Sequence, residues 1–175
     1  MHYRTTSFPR YRHDTESRGW RKAPRAPTAY APLVRAELTI EVARTPDDVF
    51  AYLTDVSNLP AWQSGVRTAQ IEDAGAPRVG ARIHESRHIL GRELGTTLEI
   101  IEYEPPRVFS LRALDSPVPF SVRHELAAAG DGTRLTVTGV GDAGLLPGFA
   151  AGIMARRAEK QFRKDFERLK RLLES

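Results

Sequence analysis

The chain has no cysteine among its 175 residues, which excludes disulfide bonds and thiolate metal sites. It also lacks an apolar run of the roughly 18 residues that a membrane-spanning helix needs. The longest candidate, Leu145–Met154, is interrupted by Pro147 and by glycines. Residues 1–33 lack the continuous apolar segment of a secretory signal. These absences predict a cytoplasmic protein with no membrane span.

Residues 1–33 differ in composition from the rest of the chain. They hold seven basic and two acidic residues, four prolines and no apolar period. Since the whole chain carries a net charge of +4, residues 34–175 carry −1. We expect 1–33 to be a disordered basic tail, because it cannot bury enough apolar surface to offset its ordering entropy. Tyr3, Tyr11 and Trp20 would suit a nucleic-acid or anionic-surface arm. A tail without function is the favoured interpretation, so no specific nucleic-acid partner is predicted.

Residues 34–175 are expected to form one folded domain. A strand-like run, Val34–Ala43, comes first. The following segment, Thr45–Trp62, predicts two short helices with a proline-containing break between them. Thr45 can accept a hydrogen bond from the first free N–H groups of a helix, and Pro46 suits the first helical position.

Six further strand-like segments follow, and their short glycine- and proline-rich links favour antiparallel pairing. They are Val66–Asp73, Ala81–Leu90, Thr96–Tyr103, Arg107–Leu114, Val118–Ala127 and Thr133–Val140. A long helix from about Pro147 to Leu173 ends the chain. The sequence therefore predicts an α+β fold with a seven-stranded antiparallel sheet.

The long helix has an inward stripe of uneven size. The stripe recurs every three or four residues and reads Ala151, Ala155, Ala158, Phe162, Phe166, Leu169 and Leu173. A helix across a curved sheet would fill the core with its larger second half and leave a cavity under its first half. Close packing of the alanines against large strand side chains explains the same pattern.

Five segments resemble those of a known family. Phe50–Trp62 matches a Phe-x-x-Leu-x-Asp-x-x-x-x-Pro-x-Trp pattern, and Gly80–Glu93 is similar to the family's third strand and glycine turn. Glu99–Pro106 resembles its strand-end Glu-x-x-Pro-Pro, Gly132–Val137 its Gly-Thr-Arg strand start, and Phe166–Glu174 its helix end. The chain is identified as a member of the START-like, SRPBCC superfamily, in the polyketide cyclase/dehydrase branch.

This resemblance covers about residues 34–174 and implies a helix-grip fold. In that fold a curved seven-stranded antiparallel sheet carries two short helices after its first strand and a long C-terminal helix over a cavity. Members include lipid and hormone carriers, aromatase/cyclases and oxygenase domains. The resemblance also implies that Trp62 lies near the cavity mouth, with a plain core aromatic as the alternative.

Alternation along the third strand selects residues for the inner face. Ile83, Glu85, Arg87 and Ile89 share one face, and we favour it as the inner one because it has two branched aliphatic side chains and places an acid beside a base. Glu85 and Arg87 would then orient a ligand oxygen in an apolar pocket. The alternative is that both side chains face solvent.

Other candidate site residues lie on the fourth and sixth strands and on the helix. Phe120 and His124 share the apolar face of the sixth strand. A lone histidine there is more often a core residue, but His124 is the best candidate for acid–base work. Tyr103 could donate a hydrogen bond to a bound carbonyl. Ala151 and Ala155 would line the cavity from the helix.

Two motifs suggest a metal or a cofactor site, but neither meets the geometric requirements of such a site. His84 and His88 are four residues apart on a strand, hence about 13 Å apart, too far to chelate one metal. Gly139–Gly144 reads G-x-G-x-x-G, but no parallel strand follows it, as a dinucleotide site requires. Its glycines are expected instead to relieve crowding where the last strand bends into the helix. No metal and no cofactor are predicted.

The favoured hypothesis is a non-catalytic protein that binds a small hydrophobic molecule, lipid-like or polyketide-like, under the long helix. The alternative is an aromatase/cyclase that promotes aldol closure or dehydration. Its acid–base candidates are His124, Tyr103, Glu85 and Arg87. A protein-interaction module would use the basic outer face of the helix, which is more simply a solvated face. That face holds Arg156, Arg157, Lys160, Arg163, Lys164 and Lys170. The sequence indicates no oligomeric state.

Overall fold

The computed structural model describes residues 33–89, 91–116, 119–142 and 148–175. The elements in chain order are β1 (Leu33–Val42), α1 (Pro46–Thr54), a 3-10 turn (Val56–Asn58), α2 (Leu59–Trp62), β2 (Val66–Ile71), a second 3-10 turn (Glu72–Ala74), β3 (Arg82–Ile89), β4 (Arg92–Glu104), β5 (Val108–Ala113), β6 (Phe120–Ala129), β7 (Gly132–Asp142) and α3 (Gly148–Glu174). Residues 1–32 lie outside the described residues, so the tail stays a prediction.

The start of α1 has the predicted cap. The Oγ1 atom of Thr45 accepts a hydrogen bond of 3.2 Å from the backbone N–H of Asp48, and Pro46 is the first helical residue. Val49, Phe50 and Leu53 form the buried side of the helix. The cap therefore fixes where α1 begins, and its apolar spacing fixes which side faces the core.

All seven strands belong to one antiparallel sheet with the order β1-β7-β6-β5-β4-β3-β2. Each strand from β2 to β7 pairs with its neighbour in sequence, whereas β1 pairs with β7. Because β1 and β2 lie at opposite edges, the segment containing α1 and α2 must cross the sheet. Register shifts in β2 and β4 add local bends to the strands.

Several strand bounds differ from the predicted ones. β4 begins at Arg92, four residues earlier than expected, because Arg92 already pairs with Ile89 across the turn. Gly91 supplies the positive φ of 78° that this tight turn needs. β6 ends at Ala129 rather than Ala127, and Val118 lies outside the described residues.

The core lies between one face of the sheet, α1, α2 and the C-terminal half of α3. Its largest fully buried side chains are Trp62, Leu53, Ile83, Ile100, Leu135 and Leu169. The end of α3 is tied to the end of β1, since Arg44 Nε donates a hydrogen bond of 2.5 Å to the carbonyl oxygen of Leu173. The backbone N–H of Ala43 donates one of 2.8 Å to Glu174 Oε1.

Burial along α3 decreases toward its N-terminus. Leu169 and Phe166 are fully buried, Phe162 is partly buried, and Ala158 is exposed. Ala158 belongs to the predicted inward stripe but is exposed, because the helical period gives a residue's direction and not where its neighbours end. The side chains of Ala151 and Ala155 lie outside the described residues. No helix in the described part of the chain is long and apolar enough to cross a membrane.

Two alanine substitutions one turn apart should differ in their effect on stability. Phe166→Ala should lower the free energy of unfolding by about 3–5 kcal/mol, because Phe166 is 2% exposed and fills the core. Phe162→Ala should cost less than half as much, since that ring is only partly covered. Denaturant melts of both variants provide the comparison. Equal losses would mean that α3 is as tightly packed at Phe162 as at Phe166.

Candidate ligand site

The side chains on the inner face of β6 are buried in the middle of the strand and only partly buried toward its N-terminal end. His124 and Leu126 are 3% and 6% exposed, whereas Val122 and Phe120 on the same face are only partly buried. The neighbouring strand explains the change. Val137 of β7 lies opposite His124, but glycines lie opposite Val122 and Phe120. The sheet therefore loses side-chain volume toward the end where α3 begins.

Two glycines of β7 lie on this inner face without crowding from the described strands. Among the described residues, the atom nearest to a Cβ added at Gly139 is the carbonyl oxygen of Ala36, at 4.0 Å, and a Cβ added at Gly141 has its nearest neighbour at 3.8 Å. Both distances are ordinary van der Waals contacts, so each position has room for a methyl group. The expectation that these glycines relieve crowding was wrong, because the strands around them leave room. Gly144 lies outside the described residues.

A cleft of about 240 Å³ opens at this end of the sheet, where β5, β6 and β7 meet. It lies at the strand ends, where inner-face residues (Ala113, Phe120 and Gly141) and outer-face residues (Arg112, Ser121 and Val140) both line it. The exposed Ala158 and the partly buried Phe162 extend the uncovered apolar surface along α3. Open space and close packing under the first half of α3 both stay predictions, because the side chains of Ala151 and Ala155 lie outside the described residues.

His124 lies at the boundary between the filled and unfilled parts. Its ring is stacked on Phe109 at a centroid distance of 5.7 Å and lies 5.8 Å from the ring of Phe166. The Nδ1 atom is 3.0 Å from the carbonyl oxygen of Phe109. Since a carbonyl oxygen only accepts, Nδ1 carries the proton and donates it.

Burial keeps His124 uncharged. Loss of hydration lowers its pKa from 6.5 to about 4, although the hydrogen bond to Phe109 acts in the opposite direction. At neutral pH the side chain is a neutral imidazole with its Nδ1 proton held by the backbone. It can offer Nε2 as a weak base, but it holds no imidazolium proton to give as an acid.

Tyr103 continues this aromatic surface on β4. Its ring centroid lies 5.4 Å from that of Phe50 and 6.3 Å from that of Phe109. The side chain is partly buried, and its hydroxyl makes no hydrogen bond to a described residue. The hydroxyl group is thus available to a polar atom of a ligand.

The favoured strand face of β3 is the inner one. Ile83 is fully buried and the side chain of Glu85 has no exposed surface, so Glu85 does not face solvent. Arg87 is 26% exposed and binds Glu85 through hydrogen bonds of 2.5 and 3.2 Å. Its Nη2 atom also donates to Gln63 Oε1 at 2.6 Å. The charges of Glu85 and Arg87 thus compensate each other inside the fold.

Trp62 lies in the core, with 1% of its surface exposed. Its ring packs against Phe166 at 5.1 Å, and its Nε1 atom has no hydrogen-bond partner among the described residues. Next to it, the backbone N–H of Ser64 donates to Asp165 Oδ1 at 3.0 Å, and Gln161 Nε2 donates to the same oxygen at 2.8 Å. Polar and apolar contacts together therefore fasten α2 to α3.

A larger cleft, of about 510 Å³, lies at the β2 edge of the sheet. Its lining is rich in polar groups, including Asp55, Glu72 and Asp73. His84 also lines it and lies 3.4 Å from Glu72. Three carboxylates disfavour an apolar ligand, so the smaller cleft suits one better. Within the described residues, no three histidine, aspartate or glutamate side chains are placed to hold a metal ion.

Sequence reasoning found the inner-face residues of β3, β4 and β6 but missed Gln63 and Asp165. Both lie next to Trp62 in space rather than on an apolar stripe, so no periodicity marks them. The two glycines of β7 were noticed for the wrong reason. Their position two residues apart was the available signal, since it places Gly139 and Gly141 on one strand face.

Comparisons with known proteins agree with this architecture. The family model described as "Polyketide cyclase / dehydrase and lipid transport" matches residues 34–174. The solved Zhui aromatase/cyclase from a Streptomyces species is 19% identical, with a TM-score of 0.65 over 82% of this chain and 94% of that one. A Rhodobacter sphaeroides protein is 25% identical, with a TM-score of 0.62 over 80% and 91% of the two chains.

The structure of Ara h 8.0201 is 14% identical and gives a TM-score of 0.63 over 81% of this chain and 98% of that one. Its likeness, like that of the aromatase/cyclase, shows the fold, and it confirms the predicted helix-grip arrangement. A search of curated protein sequences found no match.

Replacement of His124 by Gln should make the free energy of unfolding depend less on pH below pH 6.5. Between pH 6.5 and about 4 the unfolded chain binds a proton at this position that the folded chain does not. The free energy of unfolding therefore falls as the pH falls through this window, by up to about 3 kcal/mol from His124 alone. Denaturant melts across this pH range should show the loss in the unmutated protein and a loss smaller by that amount in His124→Gln. If the free energy of unfolding fell equally with pH in both proteins, His124 would not be buried and neutral.

Proposed function

We propose that this chain, which belongs to the polyketide cyclase/dehydrase and lipid transport family, binds a small, largely apolar molecule between the inner face of its sheet and α3. The single observation that carries the proposal is the partial exposure of Phe120 and Val122, which lie on the inner face of β6 opposite glycines. Family membership alone supports a hydrophobic ligand in general terms. The lipid-like or polyketide-like character of that ligand is part of the proposal.

Apolar surface beside this space supplies the driving force. Phe120, Val122 and Phe162 each keep part of their surface uncovered, although they lie on faces directed toward the core. Covering such surface with a ligand yields about 25 cal/mol for each Å² removed from water. An apolar ligand would therefore complete the packing that the two glycines leave unfinished.

A few polar groups would set the orientation of the ligand. The hydroxyl of Tyr103 is available to donate to a ligand oxygen, and His124 Nε2 could accept a hydrogen bond. Glu85 and Arg87 are already paired, so they would contribute a neutral polar wall rather than a free charge. This combination suits a ligand with one or two oxygen atoms on an apolar body.

The other predicted ligand-binding residues have different roles in this proposal. Trp62 and Ile83 would support the site from the core, because both are fully buried. Ala151 and Ala155 would form the roof contributed by α3, as the sequence predicts. Phe120 would form part of the entrance, since it lines the cleft at the strand ends.

An aromatase/cyclase is the second candidate, supported by the fold that this chain shares with the Zhui aromatase/cyclase. Aldol closure and dehydration need a group that can give a proton as well as one that takes it. The low pKa of His124 leaves it without an imidazolium proton at neutral pH. Binding without catalysis is therefore the favoured function. Conversion of a poly-β-ketone by the unmutated protein, lost in His124→Gln, would reverse this preference.

A pair of leucine substitutions on β7 tests the binding site. Gly139→Leu should fill the open space and weaken binding of a fluorescent anilinonaphthalene probe by at least about tenfold. Thr138→Leu is the matched control, because it adds a leucine at the adjacent residue on the opposite face of the same strand, and it should leave affinity unchanged. Fluorescence titrations give both values, and thermal melts check that each variant is folded. Equal affinity of Gly139→Leu and the unmutated protein would place any binding elsewhere.

A further inference from the structure

The outer face of α3 carries a continuous stripe opposite its buried one. The buried stripe is Phe162, Phe166, Leu169 and Leu173, with spacings of four, three and four residues. Half a turn away, every residue of the outer stripe is exposed. The outer stripe consists of Ile153, Arg157, Lys160, Lys164, Arg168 and Arg171. It therefore presents five cations and one branched aliphatic side chain to solvent.

Charge is segregated between this helix and the rest of the domain. α3 holds eight basic and four acidic residues, whereas residues 33–147 hold eleven basic and sixteen acidic ones. Outside α3, six arginines form ion pairs with carboxylates. They are Arg35, Arg87, Arg107, Arg112, Arg123 and Arg134. None of the five cations of the outer stripe forms an ion pair with a described residue, and α3 as a whole carries a net charge of +4, eight basic minus four acidic residues.

The N-terminal end of the stripe is apolar. Gly148–Ala155, the first two turns of α3, contain no charged residue. Ile153 points away from the core and is 53% exposed. An exposed aliphatic side chain beside a row of cations supplies both terms of binding at a bilayer surface, burial of apolar area among the acyl chains and attraction to anionic headgroups.

We propose that the outer stripe of α3 docks the protein onto a lipid bilayer that contains anionic lipids. The cations would bind the headgroups, and Ile153 would insert below them. A nucleic acid would use the same cations, but it would gain nothing from an outward isoleucine and an uncharged helix end. The cations of the stripe would suit either partner, whereas the outward isoleucine suits only a bilayer.

The docking end of α3 is also the end that leaves the inner face of the sheet uncovered. Ile153 lies little more than one turn before Ala158, which is exposed although it belongs to the inward stripe. Resting on a bilayer would bring the opening close to the acyl chains, where a largely apolar ligand dissolves. This last link rests on the proposed function, whereas docking itself does not.

Co-sedimentation of the full chain with vesicles tests the proposal without any ligand. Binding should be strong to phosphatidylcholine vesicles that contain phosphatidylglycerol and weak to phosphatidylcholine alone. Each lysine or arginine near an anionic surface contributes about fivefold. The triple variant Arg157→Gln, Lys160→Gln, Lys164→Gln should therefore bind anionic vesicles on the order of 100-fold more weakly. Ile153→Ser should weaken binding by about fivefold.

Two controls localise the effect. The first control is a triple variant of the sheet, Arg67→Gln, Arg82→Gln, Arg92→Gln. It removes three exposed cations that make no ion pair with described residues, and it should retain vesicle binding. The second control is the triple variant Arg4→Gln, Arg10→Gln, Arg12→Gln. It removes three positive charges of the N-terminal segment and should also retain vesicle binding. The proposal is overturned if no vesicle binds, or if either control loses as much affinity as the stripe variant. It is equally overturned if both vesicle compositions bind alike. Probe binding by the same variants reports separately on the cavity.

Discussion

The ring of Phe166 connects α3, on which it lies, with α2 and with β6. Its centroid lies 5.1 Å from that of Trp62 on α2 and 5.8 Å from that of His124 on β6. Phe162, one turn earlier in α3, lies 4.8 Å away. Since Phe166 is almost completely buried, this cluster fixes the C-terminal half of α3 against the sheet. The first half of the helix lies beyond the cluster, where Ala158 is exposed. The space of the candidate site is a consequence of where this aromatic anchor ends.

The same boundary decides what chemistry is available. His124 lies on the filled side, where burial lowers its pKa to about 4 and its Nδ1–H donates a hydrogen bond to the carbonyl oxygen of Phe109. Glu85 is also on the inside, but Arg87 neutralises it. The titratable groups closest to the open space are thus either uncharged or paired. An environment of this kind binds and orients an apolar molecule more readily than it moves protons.

Local patterns were enough to predict most of the fold. Thr45 and Pro46 marked the start of α1, and alternation along β3 identified Ile83 and Glu85 as inner-face residues. The pairing of β1 with β7 has no local signal, because it joins the two ends of the domain. Glycine is ambiguous for a physical reason. A missing side chain occurs both where backbones are crowded and where they are not. Only the distance to the carbonyl oxygen of Ala36 shows that the described strands would accept a methyl group at Gly139. Exposure of Ala158 likewise depends on the extent of the sheet, which periodicity does not contain.

The central claim is that an apolar ligand lies against the inner face near β6, β7 and α3. A titration of the full chain with the anilinonaphthalene probe, followed by amide chemical shifts in two-dimensional NMR spectra, tests it most directly. The account predicts the largest shifts at Val122, Gly139, Gly141 and Phe162, with little change around the polar cleft at the β2 edge. The contrary result is a set of shifts centred on Ser57, Gln70 and Glu72, which would mean that the ligand occupies the larger cleft and that the unfilled inner face has no part in binding.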